Sequence, residues 1–104
     1  MSREETARNK HRSGNNCAVS VYSTFYDKVS GLAPMARSEG GKCGAVLSAE
    51  KVLSQLGHGT EAFDQKFIEM FGSLKCAELR KGKYPCNDLV GTATGMVDEI
   101  MENR

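Results

Sequence analysis

From Cys17 onward the apolar side chains return every third or fourth position and never alternate along a run, and this period constrains the fold more than anything else in the chain. Cys17, Ala18, Val21, Tyr22, Phe25 and Val29 share one helical face, with Asn15 or Asn16 placed to cap it. Val46, Ala49, Val52, Leu53 and Leu56 make a second stripe, which Gly57-His58-Gly59 stops. Phe63, Phe67, Met70, Phe71 and Leu74 form the strongest aromatic stripe, predicting helix from a Thr60 cap to about Arg80 with a weak point at Gly72. Cys86, Leu89, Val90, Ala93, Val97, Ile100 and Met101 carry the same spacing towards the end, entered through Pro85, a residue suited to a first helical turn. No turn signal separates β-branched runs, so strands have no support. The fold class is all-α, a small bundle of about four helices in which Gly91 and Gly95 let the last helix approach a neighbour closely.

Residues 1–15 mix charges of both signs with few apolar side chains and predict a frayed polar arm; residues 16–104 make the single helical domain. Residues 30–42, with three Gly and a Pro, predict a loop. With 14 Lys and Arg against 13 Asp and Glu, the net charge of +1 offers no basic surplus, so neither nucleic acid nor an anionic membrane is expected as a partner. No run approaches the roughly 20 apolar residues of a membrane span, and no apolar run near Met1 suggests a signal peptide. A cytoplasmic protein is the expectation.

Four cysteines in 104 residues fall well short of a disulfide-stapled scaffold. Cys17, Cys43, Cys76 and Cys86 contain no C-x-x-C pair, which excludes a zinc finger or a thioredoxin-like motif. Three of them, Cys17, Cys43 and Cys86, fall in the first turn of an expected helix, where free N–H groups and the helix dipole favour a thiolate. Thiolates are the reactive and metal-binding form. Cys86 lies in its helix's apolar stripe and should point inward. Cys76, on a continuous helix from Thr60, would face away from the aromatic stripe unless a break at Gly72-Ser73 rotated it. The plain alternative for each is a buried filler, since free Cys behaves as a small hydrophobe.

The blocks Asn16-Cys17-Ala18, Gly41-Lys42-Cys43-Gly44-Ala45, Phe71-Gly72-Ser73-Leu74-Lys75-Cys76-Ala77-Glu78-Leu79 and Pro85-Cys86 with Leu89-Val90 together resemble the redox-active family with the C_GCAxxG_C_C cysteine pattern. The likeness runs from about Cys17 to the C-terminus and includes all four family cysteines. It departs at Ser48, which stands where the family's block ends in glycine. The resemblance implies a small helical module with redox-active cysteines, a redox partner protein, and an iron–sulfur cluster as the candidate cofactor. By resemblance, Cys17, Cys43, Cys76 and Cys86 are the catalytic residues or the ligands of one shared centre, with Gly44 bringing backbone near the sulfurs.

Three functions follow. The four thiols form a thiol–disulfide couple or hold an iron–sulfur cluster, as in an oxidoreductase or electron-transfer protein; or they bind zinc or copper(I); or the chain is a partner-binding bundle with inert cysteines. His58, flanked by glycines, reads as a loop residue rather than a ligand, and His11 in the polar arm is a weaker candidate still. Lys42 and Arg37 flank the Cys43 turn, Arg37 as an exposed loop charge. Gly40-Gly41-Lys42 lacks the spacing of a phosphate loop. Met35, Met70, Met96 and Met101 suit gap-filling in a helical core. Tyr84 is placed to shield the Cys86 sulfur.

Overall fold

The computed structural model describes residues 2–35 and 40–102. Among them lie six α-helices: α1 (Arg3–Arg12), α2 (Cys17–Tyr22), α3 (Gly44–Gln55), α4 (Glu61–Phe71), α5 (Cys76–Lys81) and α6 (Cys86–Glu102), with a 3-10 turn at Ser23–Phe25 after α2. The all-α class holds, and the expected four helices become six for two separable reasons.

The first is that residues 3–12 are a helix and not a frayed arm. Ser2 caps α1 by accepting the Glu5 N–H at 3.2 Å, Glu4 and Glu5 sit at its positive end, and Lys10, His11 and Arg12 sit at its negative end. Its docking face carries Ala7, fully buried, flanked by two arginines. Arg3 pairs with Asp27 at 2.8 Å and Asp98 at 3.3 Å and lies over the Phe25 ring. Arg8 pairs with Asp88 at 3.0 Å on α6. The close approach foreseen for Gly91 and Gly95 is to this helix, since a Cβ at Gly91 would overlap the Arg8 guanidinium and one at Gly95 would lie 2.6 Å from Glu4 Oε1. Charged heads with apolar stems do the packing, which is why a count of apolar residues misses α1.

The second reason is the break that a continuous helix to Arg80 would lack. Gly72 adopts the left-handed conformation at φ 85° and ends α4, and the chain restarts as α5 at Cys76. Between the two, Lys75 forms an isolated antiparallel bridge with Lys42. Asn16 caps α2, accepting from the Val19 N–H at 2.8 Å, whereas Thr60 precedes α4 without a side-chain cap.

The core gathers the expected stripes, with Val21, Phe25, Val52, Phe63, Phe67 and Val97 fully buried. Met96 is buried and Met101 packs against the core, but Met35 and Met70 are exposed, because Met35 lies in the loop and Met70 on the outer side of α4. Ser48 is fully buried and donates to the Ala18 carbonyl at 2.8 Å, joining α3 to α2. Arg37 lies outside the described residues. No helix is long and apolar enough, among the described residues, to cross a membrane.

Candidate functional site

Four helix starts converge. Cys17 opens α2, Cys43 is the N-cap of α3, Cys76 opens α5 and Cys86 opens α6. All four line one cavity of about 140 Å³, together with Asn16, Gly44, Leu79, Arg80, Tyr84 and Leu89. Residues widely spaced along the chain thus border one cavity.

The Lys42–Lys75 bridge is the local device. Cys43 donates its backbone N–H to the Leu74 carbonyl and Cys76 donates to the Gly41 carbonyl, both at 2.9 Å, so the entries to α3 and α5 are stitched side by side. The Gly72 break therefore turns Cys76 from an outward position into a lining one. All four sulfurs are free thiols: Cys43 buried, Cys17 and Cys76 partly buried, Cys86 exposed. The expectation that Cys86 points into the core gives way to a sulfur at the cavity mouth, because the first turn of α6 precedes its buried stripe. Tyr84 lines the same mouth, its ring edge-on to Phe71 with centroids 5.0 Å apart.

The helix-start argument for thiolates is outweighed at two positions. Burial pushes the Cys43 thiol up, although the Ala45 and Val46 N–H groups facing its sulfur pull the other way. Cys17 is pushed up to about 12, first by burial, then by repulsion from Cys43 and Cys86, a thiol–thiol interaction with Cys86, and repulsion from Cys76. Sulfurs this close cannot all carry charge, so losing one proton makes the next harder to lose.

Two residues that sequence reasoning passed over or set aside belong here. Arg80 brings a cation to the cavity wall. His11, from the supposed arm, places Nε2 3.9 Å from the Cys17 sulfur while its Nδ1 meets Asn87 Nδ2 at 3.4 Å. The signal that could have found it is the Ser2-x-x-Glu5 capping box, which makes α1 an ordered element. His58 lies in the turn after α3, outside the cavity lining. Lys42 turns from Cys43 to Glu50, with both carboxylate oxygens at 3.2 Å.

Among the described residues no three Cys, His, Asp or Glu side chains are disposed to hold a metal ion. The sulfurs share a cavity without forming a ready coordination set. No family model, curated protein or solved structure matches the chain.

Proposed function

We propose that the four-cysteine cavity performs thiol–disulfide exchange with a partner disulfide in a reducing, cytoplasmic setting. The observation that carries this reading is the convergence of Cys17, Cys43, Cys76 and Cys86 on one small cavity with graded exposure. Cys86, the exposed sulfur, attacks the partner disulfide RSSR as its thiolate, forming a mixed disulfide and expelling one RS⁻. Cys17, its interacting neighbour, then attacks the Cys86 sulfur and expels the second RS⁻. The two protons released by the cysteines go to the two departing thiolates, through solvent or the cavity wall. The protein loses two electrons and the partner gains them. Cys43 and Cys76, whose helix entries are joined by backbone hydrogen bonds, line the same cavity and supply a second dithiol. Redox use of the same four residues is what the sequence likeness to the C_GCAxxG_C_C pattern would imply, although no family model matches the chain.

A zinc or copper(I) site, or an iron–sulfur cluster, would draw on the same cysteines, and their number suits one. The lack of a ready ligand set among the described residues favours exchange over this second reading. Reduced protein treated with oxidised glutathione should release two thiols per chain and yield an intramolecular Cys17–Cys86 disulfide on peptide mapping. Absence of thiol release, or a brown, iron-bearing protein after anaerobic purification, would overturn the exchange reading.

A further inference from the structure

Asn87 is oriented by two partners at once. Its Nδ2 donates to the Arg8 carbonyl at 3.0 Å, and its Oδ1 accepts from Arg8 Nη1 at 3.4 Å. Turning the amide over would set oxygen against oxygen and N–H against N–H, so the group facing His11 Nδ1 at 3.4 Å is a donor. Nδ1 must then offer its lone pair. In the neutral ring the proton consequently resides on Nε2, the nitrogen 3.9 Å from the Cys17 sulfur.

We propose that His11 is a positioning residue that donates its Nε2–H to the Cys17 sulfur when that sulfur carries charge, with Asn87 holding the ring in the donating tautomer. Cys17 is the thiol most in need of such a donor, since burial and three neighbouring sulfurs oppose its ionisation. A donor directed at the charged form favours that form. The ring takes up no proton in this role; it stabilises the thiolate that attacks the Cys86 mixed disulfide. That resolving role rests on the exchange chemistry proposed above, whereas the tautomer and its hydrogen bond do not. The chain of contacts also ties Cys17 reactivity to the docking of α1, because Arg8, Asn87 and His11 interlock.

The test is the rate of Cys17 alkylation by iodoacetamide, resolved by peptide mass spectrometry across neutral to alkaline pH, on the full reduced chain. His11→Phe removes the donor and should slow Cys17 alkylation about tenfold at a given pH, the effect of roughly one pKa unit. His11→Gln, which keeps an N–H donor, should recover part of the loss. A purely structural role would leave the pH profile unmoved in His11→Phe or give no recovery in His11→Gln, and either result overturns the proposal. No disulfide substrate enters this measurement. Failure of exchange with oxidised glutathione would therefore sink the proposed function alone, and an unmoved alkylation profile would sink this inference alone.

Discussion

The Ser48 hydroxyl donates to the Ala18 carbonyl at 2.8 Å, and neither residue has more than a trace of exposed surface. This bond links the helix that follows Cys43 to the helix that begins at Cys17, so it sets the separation of two cavity walls from one side. Ser48→Ala removes one buried hydrogen bond and should cost about 1 kcal/mol. Ser48→Val adds bulk between α2 and α3 and should cost about 1–3 kcal/mol. Urea unfolding of both variants checks the order. Faster alkylation of Cys43 in Ser48→Val would show that the wedge also opens the site.

Gly91 tests whether α1 is docked as an ordered helix. A Cβ there overlaps the Arg8 guanidinium, whose far end can swing away only by abandoning Asn87 and Asp88. The new side chain meanwhile raises helix propensity in α6 by about 1 kcal/mol. Gly91→Ala should therefore leave global stability within about 1 kcal/mol of the parent while α1 loses amide-exchange protection. Protection across residues 3–12 unchanged from the parent would show that Arg8 does not hold the helix.

The parts of the fold readable from sequence are those whose signal is local. The aliphatic and aromatic stripes of α3, α4 and α6, the Asn16 cap and the Gly57 stop depend on side chains three or four residues apart, and they stand where expected. Three of the four helix-start cysteines were visible for the same reason. Cys76 was not, because its placement depends on the Lys42–Lys75 bridge, in which the Cys43 N–H donates to the Leu74 carbonyl and the Cys76 N–H to the Gly41 carbonyl, contacts no periodicity encodes. Helix α1 escaped notice because Arg3 and Arg8 dock it through ion pairs, so its face carries charge where a stripe of Leu or Val would announce burial. His11 was legible only once α1 was known to pack beside α6, since Asn87, which orients it, belongs to the far end of the chain.

Glu50 should give stability a pH dependence of unusual sign for a carboxylate. Burial lifts it from 4.5 to about 7, helped by a hydrogen bond and repulsion from Asp64 and opposed by Lys42. Asp64 Oδ1 is buried without a partner, so a proton shared with Glu50 gives it one. A native state that holds this proton more tightly than the unfolded chain is favoured fully below pH 4.5 and loses that advantage as pH rises through about 7. Thermal melts should show stability declining across this window by about 1–2 kcal/mol after allowance for partial solvent exposure. In Glu50→Gln the slope should flatten. A parent protein that gains stability over the same range would contradict the carboxyl pair.

Cys86→Ser asks whether the sulfurs interact as a set or only share an address. Removing the exposed thiol withdraws both a repulsive neighbour and a thiol–thiol interaction from Cys17, which burial first, and then the neighbouring sulfurs, push up to about 12. Cys17 should then ionise more readily, and its alkylation should accelerate several-fold at pH near neutrality, since only the thiolate reacts. Serine is nearly isosteric and lies at the exposed start of α6, so helix content should be retained. Cys43, for which burial is the first of the causes, repulsion from Cys86 is the last and no thiol–thiol hydrogen bond is made, should respond less. Equal, unchanged rates at Cys17 in parent and variant would mean the sulfurs are too far apart to sense one another, and the exchange chemistry assigned to this pair would have no physical basis.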